Sequence, residues 1–198
     1  MYTLNSGIIL NSYNYANADK LIKIFTREEG IINVLAKGVR KIPSKRGGML
    51  DTLNLIFFKA YLKNDFYYLT EVKVLEDFKS IKSNLALSSW SFFILEAIST
   101  ILPEHQSNVY VFLKLKDALK DLNKKPSKRI IYRFLYYLIY KEGFWSNNFY
   151  IKHPYLKKIF NNNFVSLQEQ KKIDMFFISQ IKVIAEKDLN SLLLLKSI

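Results

Sequence analysis

The 198-residue chain contains no cysteine. That excludes a disulfide framework, a thiolate zinc site and a catalytic thiol, and it fits a reducing compartment. Histidine is scarce as well. His105 lies just after Pro103 and His153 just before Pro154, neither with a second ligand type at metal-site spacing, so no metal is expected. Long apolar runs are also missing. The greasiest stretch, Ile130 to Tyr140, is broken by Arg133 and falls short of the roughly 20 apolar residues that cross a bilayer. The opening MYTLNSGIILNSYNYA lacks the positive start and long apolar core of a signal peptide and alternates like a strand. These absences predict a cytoplasmic protein with no membrane segment. No internal repeat and no low-complexity linker interrupts it.

Catalytic constellations are lacking too. A phosphate-cradling loop needs Gly-Lys-Ser/Thr opening a helix, whereas here Lys45 follows Ser44 and Gly47-Gly48 come after it. Glu28-Glu29 sits in a turn, where paired acids are usually solvated. The chain is therefore expected to be no enzyme and to use no cofactor. Acidic residues are the minority charge, 17 against 30 basic, for a net charge of +13. Such a balance points to a polyanionic partner: nucleic acid, an anionic membrane surface or an acidic protein tail.

What the sequence does hold is apolar mass, 49% of residues with 15% aromatic, enough to bury real cores. Residues 1–78 alternate with period two. They predict five strands near Tyr2 to Tyr13, Leu21 to Thr26, Ile31 to Lys37, Leu53 to Leu62 and Phe66 to Leu75, with tight turns at Glu28 to Gly30 and Asn64-Asp65. Five strands in that length suit an OB-type barrel, whose face and loops take single-stranded nucleic acid or sugars; strand count alone leaves an SH3-like barrel open. After Phe78 the period becomes helical. Helices are predicted over Asn84 to Leu102, stopped by Pro103; Ser107 to Leu122, with Val109, Phe112, Leu113, Leu119 and Leu122 inward; and Ser127 to Glu142, stopped by Gly143. A last helix opens on the capping-box spacing Ser166-Leu-Gln-Glu169 and turns Met175, Phe176, Ile178, Ile181, Val183 and Ile184 inward. The expected fold is α+β: a five-stranded OB-fold barrel, residues 1–78, followed by an all-α helical domain, residues 79–198.

Charge is uneven along the chain. Residues 1–78 carry 11 basic and 8 acidic side chains, and residues 79–198 carry 19 and 9. Lys114, Lys116, Lys120, Lys124, Lys125, Lys128 and Arg129 gather around the second and third helices. In the N-terminal half, AKGVRKIPSKRGG at 36–48 holds five cations and no acid. Lys37, Arg40, Lys41, Lys45 and Arg46, carried on glycine-bent backbone after the third strand, suit the phosphates of an irregular strand. Tyr13 and Tyr15, in the SYNYAN turn, are candidates for stacking on bases. Tyr132, Tyr136 and Tyr140 recur every four residues as a helix-packing stripe and receive no binding role.

Several stretches together resemble the RecO family of bacterial recombination mediators. They are Gly7-Ile8-Ile9-Leu10, Ala18-Asp19-Lys20-Leu21, Phe25-Thr26-Arg27-Glu28 with Gly30, and Ala36-Lys37-Gly38 with Arg40, followed by Gly47-Gly48 and Leu50. Further along come Glu71-Val72, Arg133-Phe134, Gly143-Phe144 and the late Leu195-Lys196-Ser197. The resemblance implies an OB domain followed by helices. It implies a mediator that binds single- and double-stranded DNA, anneals complementary strands and, with RecR, helps RecA replace single-strand-binding protein. It also implies docking of the acidic, apolar C-terminal tail of single-strand-binding protein at Arg133, with Lys128 and Arg129 nearby. Many members carry a four-cysteine zinc module; here the equivalent region, 146–164, has none, so no zinc is expected. Two other readings remain: a generic OB-fold binder of RNA or another polyanion, and a basic protein-interaction scaffold.

If each of the five loop cations meets one phosphate, binding to a single strand has a log–log salt slope of about −3.5 and weakens about a hundredfold between 50 and 200 mM salt. Replacing Lys37, Arg40 and Lys41 together by alanine lowers the affinity and flattens that slope; a salt titration on a labelled oligonucleotide reads both.

Overall fold

A computed structural model describes residues 2–40, 47–64, 66–161 and 164–196. Five strands, β1 (Tyr2–Tyr15), β2 (Asp19–Thr26), β3 (Gly30–Ala36), β4 (Leu55–Lys63) and β5 (Phe66–Glu76), close into a barrel in the order β1-β2-β3-β5-β4. Closure needs one strand to serve two neighbours. β1 is long enough: its first half pairs antiparallel with β4, from Tyr2↔Tyr61 to Ile8↔Leu55, and its second half with β2, from Gly7↔Thr26 to Tyr15↔Asp19. A register shift between Ile9 and Asn11 bends it between the two partnerships. Gly7 stands at the change-over, where a Cβ would lie 2.4 Å from Ile24 Cγ2. The seam is the short parallel pairing of β3 with β5, Val34↔Tyr67 and Leu35↔Tyr68. This is the OB arrangement rather than the SH3-like one, and a short 3-10 helix, Gly47–Leu50, lies between β3 and β4.

The apolar run Gly7-Ile8-Ile9-Leu10 does not alternate, because β1 is covered on both faces. Ile9 points into the barrel with Ile22, Ile24, Ile32, Val34, Ile56 and Phe58. Ile8 and Leu10 point outward, joined by Phe25, Ile31, Leu53 and Leu55, into a second core shared with the helices. The helices are α1 (Lys79–Lys82), α2 (Leu85–Ile101), α3 (Val109–Lys124), α4 (Lys128–Lys141), α5 (Asn148–Lys152), α6 (Leu167–Ala185) and α7 (Ser191–Lys196). Asn84 caps α2 by accepting from Leu87 N at 3.0 Å, and Asn108 caps α3 by accepting from Val111 N at 3.3 Å. The capping box at α6 is formed: Glu169 N donates to Ser166 Oγ (3.3 Å) and Ser166 N to Glu169 Oε2 (3.0 Å). Lys158, bonded to the Glu169 carboxylate at 2.6 Å, is the first cause holding that carboxyl below its ordinary pKa. α7 has its N-terminal donors satisfied from afar, with Asn190 N and Ser191 N both 2.8 Å from the Glu96 carboxylate of α2.

Several expectations change in detail. Tyr13 and Tyr15 belong to strand β1, not to a turn, because pairing with β2 continues to Asp19. β4 starts at Leu55; Leu53 is buried in a left-handed conformation (φ 82°) ahead of it. α3 starts two residues late at Val109, which turns Val111 and Leu115 inward and leaves Val109 and Leu113 half-buried. On α6 the buried set is Ile173, Phe176, Phe177 and Ile181, while Met175 and Val183 are each 71% exposed. Glu29 is not simply solvated: it accepts from Thr3 Oγ1 and from Tyr67 Oη (2.5 Å), tying β1 to β5 across the barrel end. Burial, with help from that carboxylate, pushes the Tyr67 hydroxyl up to about 12. Asp65 of the expected Asn64-Asp65 turn lies outside the described residues.

Barrel and helices are locked at one joint. The segment after α2 runs along β3, where Ile31 pairs with Glu104 in a parallel bridge and His105 N donates to Ile31 O (3.0 Å). Glu104 also takes Asn33 Nδ2 (3.0 Å) and Lys23 Nζ (2.7 Å). Gly30, at φ +71°, lies so close that a Cβ would sit 2.1 Å from Gln106 O. Gly30→Ala therefore combines backbone strain with a backbone clash and is expected to cost about 2–4 kcal/mol, measured as a lowered urea midpoint.

Candidate nucleic-acid interface

The basic segment leaves the barrel through a turn bolted at its foot. Gly38, at φ +68°, donates its N–H to Asp19 Oδ1 (2.8 Å), and Arg40 donates its backbone N–H to Ala18 O (3.0 Å) and Nη1 to Ala16 O (3.3 Å). Between them Val39 is driven into the barrel core, which leaves Lys37 and Arg40 on the exposed side. The Lys37 ammonium stands 5.0 Å over the Tyr68 ring. Lys41, Lys45 and Arg46 lie outside the described residues. The structure thus anchors Gly38 and Arg40 to the β1–β2 turn and leaves the Lys37 and Arg40 side chains exposed.

Tyr13 is 53% exposed, and its hydroxyl accepts from Asn11 Nδ2 at 2.8 Å. It borders a cleft of about 460 Å³ between the barrel and α2 and α7, where Lys23, Glu96 and Lys187 also line the wall. Strand register links it to the other side of the barrel. Tyr13 pairs with Leu21, Leu21 with Leu35, Leu35 with Tyr68, Tyr68 with Tyr61 and Tyr61 with Tyr2, a girdle around the outside. Sequence reading singled out Tyr13 and missed Tyr2, Tyr61 and Tyr68. Nothing local marks them, because only the register brings three strands' tyrosines into one row.

On the helical side, Lys128, Arg129 and Tyr132 of α4 line a cavity of about 500 Å³ with Ile159, Phe164 and Val165. Its polar edge is organised by Asp174 of α6, which takes Lys128 Nζ at 2.8 Å and the Tyr132 hydroxyl at 2.6 Å. Burial and this bond together raise the Tyr132 pKa well above its ordinary value. Lys128 also stands 5.4 Å over the Trp90 ring. Arg133 is not among the cavity's lining residues. It faces the neighbouring segment, donating Nε to Ile159 O (2.8 Å) and Nη2 to Phe160 O (3.1 Å), and so holds in place the backbone that supplies Ile159. Tyr132 stacks on Phe177, and Tyr136 packs edge-on against Trp145 and Phe160, whereas Tyr140 is exposed. Among the described residues no group of three or more His, Asp or Glu side chains could hold a metal ion, and no helix is long and apolar enough to cross a membrane.

A closed β1-β2-β3-β5-β4 barrel with helices packed on one flank and a basic segment issuing from β3 defines an OB-fold protein with an appended helical region. Residues 1–78 match the family model described as Recombination protein O N terminal. Among curated relatives, DNA repair protein RecO of Listeria monocytogenes serotype 4b is 26% identical over 125 residues, 63% of this chain and 49% of that protein. RecO of Rubrobacter xylanophilus is 32% identical over 117 residues, 58% of this chain and 47% of that protein. RecO of Shouchella clausii is 24% identical over 135 residues, 68% and 53% respectively. These matches make the N-terminal barrel, residues 1–78, similar to the N-terminal domain of RecO proteins. It spans about half the length of the curated relatives it matches.

Arg133→Ala frees the carbonyls of Ile159 and Phe160 at a partly solvated site. The expected cost is about 1 kcal/mol, read as roughly fivefold faster amide exchange across residues 154–161, with Arg133→Lys intermediate.

Proposed function

We propose that this protein is a non-enzymatic DNA repair and recombination mediator acting in the cytoplasm. It holds single- and double-stranded DNA, anneals complementary strands and, with RecR, helps RecA load onto DNA coated by single-strand-binding protein. The observation that carries the reading is the family-matched barrel with a cationic segment anchored to it by Asp19, Ala16 and Ala18. In this reading residues 1–78 are the DNA-binding domain and residues 79–198 a helical domain that adds positive surface and a partner site. Lys37 and Arg40, with Lys41, Lys45 and Arg46 beyond them, neutralise phosphates on one strand, and the lysines of α3 hold a second. Bringing two strands under one positive field lowers their mutual repulsion, so annealing speeds up with no bond made or broken.

The cavity at Lys128 and Arg129 supports a partner site for the C-terminal tail of single-strand-binding protein. Cations at its edge suit carboxylates, and Ile159, Phe164 and Val165 suit an apolar or aromatic side chain. Arg133 contributes by positioning the cavity wall. Asp174, which already neutralises Lys128, limits how much charge that lysine offers.

Two measurements test this. The protein should accelerate annealing of complementary labelled oligonucleotides, and the triple alanine variant at Lys37, Arg40 and Lys41 should not. A fluorescent acidic peptide ending in an aromatic residue should bind, with Arg129→Ala weakening it about tenfold and leaving DNA affinity within about twofold. A protein that anneals nothing, or that prefers matched RNA to DNA, overturns the assignment.

A further inference from the structure

Resting on the DNA-binding reading above, we infer that the outer face of β1, β4 and β5 is a base-stacking platform for single-stranded DNA, built on Tyr2, Tyr61 and Tyr68. Direct strand partners share a face, and the pairings Tyr2↔Tyr61 and Tyr61↔Tyr68 put the three rings in one row across three strands. The rings follow one another at centroid distances of 6.0 and 5.1 Å, and Tyr61 and Tyr68 are nearly parallel, at 15°. The inward-pointing neighbours Phe58, Ala60 and Leu69 fill the barrel, so this row is not needed for that core. Tyr2 is 65% exposed, and the same outward side carries exposed Leu4, Phe57 and Phe66. So much exposed apolar surface on a strongly charged chain marks a contact site.

The charge pattern selects the occupant. Lys59 Nζ lies 5.2 Å over the Tyr2 ring at one end of the row, and Lys37 Nζ lies 5.0 Å over Tyr68 at the other. Lys63 and Lys73 are exposed on the same strands, and the acid Glu71 pairs with Lys59 at 3.6 Å. Rings bracketed by cations match a polymer that alternates flat bases with phosphates, whereas an apolar protein surface would have to desolvate those lysines with no anion of its own to offer them. Lys37 also begins the basic segment, so the row starts where the phosphate-tracking segment leaves the barrel. One single strand can therefore lie across the tyrosines and continue along Arg40. Duplex DNA, with its bases stacked inward, cannot use the rings.

The test compares labelled oligothymidine with an abasic oligomer of equal length, which keeps the phosphates and removes the bases. Binding is followed by anisotropy for wild type, Tyr2→Ala, Tyr2→Trp and Tyr61→Leu. Wild type should prefer oligothymidine by about tenfold; Tyr2→Ala and Tyr61→Leu should shrink that preference to about threefold or less, and Tyr2→Trp should keep it. The salt slope should stay unchanged in all of them, since no phosphate contact is removed. Tyr2 is exposed, so its variants are expected to fold, and a thermal melt checks this. Equal affinity of wild type for both polymers with a normal salt slope, or a full preference retained in a folded Tyr2→Ala, overturns the stacking platform while leaving the DNA-binding role standing. Absence of binding to either polymer at low salt overturns both.

Discussion

The approach of Gly30 to the backbone of Gln106 sets the geometry on which the rest depends. Only a residue without a Cβ, and one at ease at φ +71°, lets β3 come that close to the chain leaving α2. Once there, the His105–Ile31 hydrogen bond and the three-way contact of Glu104 with Asn33 and Lys23 make the crossing rigid. The helices then lie on the outer flank of β1 and β2, and Ile8, Leu10 and Phe25 become core residues of the helical part as well as strand residues of the barrel. Surface ion pairs of the Lys23–Glu104 kind contribute little singly. Here the pair matters because it sits over a backbone contact that admits no slack.

That flank decides which barrel surfaces remain available. With one side covered by helices, Lys37 and Arg40 and the outer face of β4 and β5 stay open, and both places carry cations. The two surfaces meet at Lys37. The cavity of α4 is lined by Lys128, Arg129, Tyr132, Ile159, Phe164 and Val165, and an aromatic cluster joins Trp145, Phe149, Phe176, Tyr136 and Phe160. Arg133 ties this cluster's segment to α4, and Asp174 ties α4 to α6.

Much of this was legible in residues 1–78, because strand period, turn chemistry and a dense ordered resemblance agreed there. The four long helices were legible for the same reason, and the Ser166–Glu169 cap was visible in its spacing. Burial on α3 and α6 was harder to read. On α6 the wheel itself sets Met175 opposite Ile173, Phe177 and Ile181 and Val183 at the rim of that face, so an apolar side chain there does not mark the core. The role of Arg133 was hidden because its partners are backbone carbonyls of a segment with no regular pattern. The tyrosine row was hidden for a different reason: it exists only in the register of the β4–β5 hairpin and in the pairing that brings β1, distant in sequence, beside it.

The aromatic cluster around Trp145 has a consequence for how the two surfaces behave together. Ring packing involves no net charge, so ionic strength does not screen it, whereas contacts between lysines and phosphates fade as salt rises. Salt thus acts as a dial on this molecule. The ring packing around Trp145 therefore holds over a range of ionic strength in which the field of the exposed lysines is progressively screened.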